Sequence, residues 1–183
     1  MKIIVAITGA SGSIYAQQLF DKLHELQQQI EEVCVVFSET AKQVWQHELQ
    51  SAPNIYDFQE FANENFFAPI ASGSANYDAM IVCPCSAGTM GRIAHGNADN
   101  LIGRAADVML KERKKLVLVL RETPYNLIHI KNMELITLAG GIICPASPSF
   151  YSKPQDIQSV CDTIVNRIVD LVGLENNSFR WGK

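Results

Sequence analysis

K-I-I-V-A-I-T at Lys2–Thr8 runs straight into G-A-S-G-S at Gly9–Ser13. The first piece is a nearly unbroken apolar run, the pattern of a strand buried on both faces of a parallel sheet. The second is a turn. After it, apolar residues return at Leu19, Leu23, Leu26 and Ile30, the spacing of one helical face. This alternation then repeats. Val33–Phe37, Ala79–Cys83, Leu116–Leu120 and Ile142–Cys144 read as further strands. Glu39–Glu48, Ser86–Ala94, Leu101–Glu112 and Asn126–Ala139 read as helices. A last helix is expected to open at Pro154, with Ile157, Val160, Ile164, Ile168 and Leu171 on its apolar face. Ser51–Ala75 is rich in Asn, Ser and Pro without a clean period, and reads as loop with short elements. The whole predicts an α/β fold: a mainly parallel sheet covered on both faces, with right-handed crossovers.

Composition sets the outer bounds. The 183 residues suit one domain, 1–183. With 48% apolar residues and 19% charged, buried contacts between subunits are expected. A net charge of −4, with no basic block, argues against a nucleic-acid partner. No apolar run of about 18 residues is present, so no membrane span is expected. Met1-Lys2 leads into a strand and not a signal peptide, which suggests a cytoplasmic protein. The five cysteines read as buried reduced thiols. Cys83-Pro84-Cys85 has no second pair, and the four histidines are scattered, so no metal site is expected.

In a parallel sheet, ligands bind beyond the carboxyl ends of the strands. The polar residues there are Thr8 to Ser13, Ser38, Ser86 to Thr89, and Arg121-Glu122. Gly9-Ala10-Ser11-Gly12 can turn tightly and bring backbone donors near a phosphate or a flavin edge, or it can simply cap a helix. Ser86-Ala87-Gly88-Thr89 is the stronger signal. Two hydroxyls flank small residues at a helix start, and the turn shares its sheet edge with the first loop. Arg104, Lys111, Arg121 and Arg167 are cations near predicted element ends. Arg104 and Lys111 lie two turns apart on one helix face and can point the same way. Trp181, in F-R-W-G-K, either docks on a neighbour or lids a pocket.

A dinucleotide site fits poorly. It needs G-x-G-x-x-G, but Gly9 and Gly12 stand alone, and Tyr15 occupies the third glycine position. Glu39 could hold a ribose. The Tyr-x-x-x-Lys pair of a short-chain dehydrogenase is missing, since Tyr125 is followed at that spacing by His129 and Tyr151 by Gln155.

Longer motifs carry a family resemblance over nearly the whole chain: I-T-G-A-S-G-S-I-Y, C-P-C-S-A-G-T, N-L-I-G-R-A-A-D-V-x-L-K-E-R, L-V-L-R-E-T-P, I-C-P-A-S-P-S-F-Y, N-R-I-V-D and R-W-G. With these it resembles the UbiX-type flavin prenyltransferases. The resemblance implies a Rossmann-like or flavodoxin-like three-layer sandwich in a homododecamer, with sites at subunit interfaces. It implies alkyl transfer from dimethylallyl monophosphate to reduced FMN without a metal. The prenylated FMN would then serve a UbiD-type decarboxylase, often in ubiquinone synthesis. By position, Gly9, Ala10, Ser11, Ser38, Ser86, Ala87, Gly88, Thr89 and Arg121 would hold FMN. Tyr151 and Arg167, helped by Arg104 and Lys111, would hold the prenyl phosphate. Glu48 and Glu122 would be the catalytic carboxylates, with Ser11 beside Glu48, and Trp181 would close the site. The C-terminal tail, about 173–183, would pack on a neighbouring subunit. Glu39 and Lys153 depart from residues common in the family, and Ser51–Phe66 is shorter than in some members.

The residue types suit that chemistry. A monophosphate leaves only when its charge is balanced, which fixed Arg and Lys donors achieve. The face of Trp181 could stabilise an allylic cation by about 1–2 kcal/mol. Two rivals share the sheet. A flavin-dependent cysteine decarboxylase carries P-A-S-A-N-T where this chain has P-C-S-A-G-T, and it lacks the cation set. A non-catalytic FMN carrier would need the cradle but not Arg104, Lys111, Tyr151, Arg167 and Trp181 together.

Overall fold

The computed structural model describes residues 1–182; Lys183, the end of the expected tail, lies outside the described residues. Six strands form one wholly parallel sheet in the order β3-β2-β1-β4-β5-β6. They are β1 (Lys2–Ile7), β2 (Glu32–Phe37), β3 (Gln59–Ala62), β4 (Ala79–Cys85), β5 (Lys115–Leu120) and β6 (Ile142–Ile143). Side chains alternate between two cores. Ile3, Val5 and Ile7 pack under α1 (Ser13–Glu25), α2 (Glu39–Leu49) and α6 (Ile157–Val172). Ile4 and Ala6 pack under α3 (Ala87–Ala94), α4 (Leu101–Lys111) and α5 (Leu127–Leu138). Both faces of β1 and β4 are buried, which is why those strands read as continuous apolar runs.

Three expectations shift. β3 was hidden in the Ser51–Ala75 segment. It is an edge strand, mostly exposed, so burial never selected an apolar run there. α1 stops at Glu25, and Gln27–Gln29 forms a separate 3₁₀ turn. The last helix opens after Asp156 and not at Pro154. The Asp156 side chain accepts from Ser159 N at 2.7 Å, and Ser159 Oγ accepts in return from Asp156 N, a reciprocal cap.

The sheet order reverses between β1 and β4, since β2 and β3 lie to one side of β1 and β5 and β6 lie beyond β4. The loops leaving β1 and β4 therefore separate, one to each face, and a crevice opens at their carboxyl ends.

Candidate active site

The two loops flanking that crevice are tied together. Thr8 Oγ1 donates to the Pro84 carbonyl at 2.9 Å and accepts from Ser86 N at 2.8 Å. Gly12 adopts a left-handed conformation, φ 112°, and has no side chain with which to cap α1. Glu48, from the end of α2, supplies the cap. Its carboxylate accepts from Gly12 N at 3.0 Å and from Ser13 N at 2.7 Å. Burial pushes the Glu48 carboxyl up, but hydrogen bonds from Ser11, Ser13 and Gly12 outweigh it and hold the group below the ordinary carboxylate range. Glu48 is thus an ionised acceptor beside Ser11. Gly9 is required by close approach: a Cβ there would lie 2.5 Å from Thr40 Cγ2.

After β4, Ser86 caps α3. Its Oγ accepts from Thr89 N at 3.2 Å and donates to Thr89 Oγ1 at 3.1 Å. Ser38 caps α2 by accepting from Ala41 N at 3.1 Å. Ser38 and Thr89 line one small crevice with Arg92, Asn63 and Asn100. Arg92 Nη2 donates to Thr89 Oγ1 at 3.4 Å. Arg92 was missed in the sequence, although it lies three residues after Thr89, one turn along the same face of α3. Arg121 follows β5, its N bonded to Cys85 O at 3.0 Å. Its Nε is buried and has no partner among the described residues. A Cβ on Gly88 would meet nothing within 4 Å, so the floor of the cradle is open. Glu122 stands next in the chain, its Oε1 accepting from Thr123 N at 3.0 Å.

A second group forms in the α6 layer. A cavity of about 470 Å³ is lined by Cys144, Ser147, Ser149, Arg167, Asp170 and Phe179 among others. Ser152 also lines it, and the preceding residue, Tyr151, meets the Trp181 ring edge to face, 4.7 Å between centroids.

The expectation that Arg104 and Lys111 join Arg167 is not met within one subunit. They sit on α4, in the opposite layer. Arg104 donates to Ala71 O at 3.0 Å and to Asp107 at 2.9 Å, and Lys111 pairs with Glu112. Helical spacing aligned the two cations with each other but carried no information about the layer. Among the described residues no group of three or more His, Cys, Asp or Glu is arranged to hold a metal, and no helix is long and apolar enough to cross a membrane.

The Flavoprotein family model matches residues 1–170. The flavin prenyltransferase UbiX of Methanocaldococcus jannaschii is 41% identical, covering 100% of this chain and 99% of that one. The chain belongs to the UbiX-type flavin prenyltransferase family. Solved structures agree. The dodecameric FMN-dependent UbiX-like decarboxylase of Escherichia coli O157:H7 superposes with TM-score 0.94 at 38% identity, over 100% of both chains. AnUbiX, in complex with FMN and dimethylallyl pyrophosphate, gives TM-score 0.89 at 38% identity over 98% of both. The peptidyl-cysteine decarboxylase EpiD, at TM-score 0.62 and 20% identity, shares the fold alone. The family therefore carries the flavodoxin-like sandwich seen here.

Proposed function

We propose that this protein is a flavin prenyltransferase, joining dimethylallyl monophosphate to reduced FMN and releasing phosphate. One observation of the fold carries the reading: two capped, glycine-bearing loops are tied together at the β1–β4 crevice, and at the same sheet edge Arg121, bonded to Cys85 through its backbone, keeps an Nε with no partner among the described residues. FMN fits these residues. Ser38, Ser86, Ala87, Gly88 and Thr89 offer hydroxyls, backbone and open space for it. Gly9, Ala10 and Ser11 border it from the β1 side, and Arg121 has a donor to spare. Reduced FMN supplies the nucleophile that takes up the five-carbon unit. Tyr151 and Arg167 hold the donor phosphate and balance its charge as the C–O bond breaks. The Trp181 face lies beside Tyr151, where it stabilises positive charge on the allyl group. Glu48, kept ionised, accepts a proton through Ser11, and Glu122 is a second carboxylate at the same sheet edge.

Arg104 and Lys111 reach the donor only from another subunit, so we place the complete site between copies. The relative from E. coli is dodecameric, and α5 here exposes Leu127, Ile128, Ile130 and Leu138, each 50% exposed or more. In this reading the subunits form a homododecamer, and the 173–183 tail, whose residues 175, 176 and 180 are tied to their own subunit, also contacts a neighbour. The product passes to a UbiD-type decarboxylase in the cytoplasm, one of ubiquinone synthesis or of aromatic acid decarboxylation.

The test is a mass spectrum of flavin after anaerobic incubation with reduced FMN and dimethylallyl monophosphate. A five-carbon addition is expected with no divalent ion added. Unchanged FMN mass, with the monophosphate and with the pyrophosphate, would return the protein to the carrier class.

A further inference from the structure

Beyond α6, Gly173 turns in the left-handed region at φ 92° and the chain doubles back along the helix. Two anchors hold the returning tail. Gln29 clasps residue 175 by donating to Glu175 O and accepting from Glu175 N, both at 2.9 Å. Asp170, in the last turn of α6, holds the rest. Its carboxylate accepts from Asn176 Nδ2 at 2.7 Å and from Arg180 Nη2 at 2.8 Å, and Arg180 Nη1 bonds the second oxygen. This is a two-pronged guanidinium–carboxylate contact, which sets orientation as well as attraction.

The neighbours of Arg180 in the chain are Phe179 and Trp181. Phe179 lines the Arg167 cavity, and Trp181 meets Tyr151. Asp170 lines the same cavity three residues after Arg167, one helical turn along. An unpaired carboxylate there would oppose an anionic ligand. Arg180 both neutralises it and fixes the aromatic residues on either side of itself.

We propose that Asp170 and Arg180 are positioning residues for the prenyl donor: their ion pair seats Phe179 and Trp181 against the Arg167 cavity and cancels a negative charge that would repel the donor phosphate. The inference rests on reading Tyr151 and Arg167 as ligands of that phosphate. It predicts an asymmetry. Losing Arg180 frees the tail and bares Asp170 to the phosphate. Losing the Asp170 charge frees the tail without the repulsion.

The chain has two tryptophans, so Trp45→Phe leaves Trp181 as the sole indole fluorophore. In that background, without donor, Arg180→Gln should make Trp181 emission more open to acrylamide, and Arg180→Lys should restore part of the protection. In steady-state kinetics on the native background, Arg180→Gln should raise KM for dimethylallyl monophosphate about tenfold, a loss typical of one charge-assisted contact. Asp170→Asn should raise it less, and the double variant should fall between. FMN affinity should stay within about twofold throughout, which a general loss of folding would not allow. Quenching and KM unchanged in Arg180→Gln would overturn the proposal, as would a double variant no better than Arg180→Gln alone. If Trp45→Phe does not fold, the kinetic arm decides. A wild-type protein that neither binds nor turns over the donor would instead remove the reading of Arg167, and the silence of the parent marks that case.

Discussion

Glu48 shows how one side chain serves two ends. It caps α1 through Gly12 and Ser13, and it stands within reach of Ser11 in the loop after β1. Glu48→Ala removes the acceptor from two helix-terminal N–H groups and should cost about 1–2 kcal/mol in unfolding free energy. Because hydrogen bonding holds the folded carboxyl below its ordinary value of about 4.3, this stabilisation is present above that pH. It is lost as pH falls through the folded value. The gap between wild type and variant in urea melts should therefore be full at pH 7 and close on acidification. Glu48→Gln separates the two roles, since an amide oxygen still accepts but is a poor base. Prenylation of reduced FMN should slow in that variant, and an unchanged rate would remove Glu48 from the proton chemistry. Glu48 came into view through family motifs; its capping contact joins residues 36 apart in sequence and could not be read locally.

At the scale of elements, legibility followed burial. Five of six strands were visible because β1, β2, β4, β5 and β6 are wholly or partly buried and carry apolar runs. β3 was not, because Gln59 and Glu60 face solvent on an edge. The two loops of the cradle could be read because they interrupt buried strands with Gly, Ser and Thr. The start of α3 gives a sharp test. Gly88 stands in its first turn, where alanine is the better helix former by up to about 1 kcal/mol, and its Cβ would meet nothing. Gly88→Ala should keep or raise the melting temperature. It should also weaken FMN binding about tenfold or more if the cofactor fills that open floor. Isothermal titration with FMN alongside a thermal melt separates the two. A variant that melts higher and binds FMN as before would move the cofactor away from Gly88.

For the whole molecule, the sequence made the cations legible but not their partition between two layers. α4 and α6 lie on opposite faces of the sheet, and nothing in a 3.6-residue period says which face a helix covers. That partition is why the complete site is placed between copies. Ile128→Glu with Leu138→Glu, on the exposed side of α5, should dissociate the proposed oligomer in sedimentation velocity. Prenyl transfer should fall with it, while FMN binding to the isolated cradle persists in weakened form. An intact assembly in that double variant would point to a different contact surface. The thiols carry a consequence of their own. All five cysteines are buried. Burial pushes Cys85 up to about 12, and it also raises Cys144 despite the nearby Arg167. Cys144 lines the cavity in which an allylic electrophile would be released, and a thiolate there would capture it. Held as a neutral thiol, it lets the catalyst escape self-alkylation, so intact-protein mass should show no added isoprene unit after many turnovers.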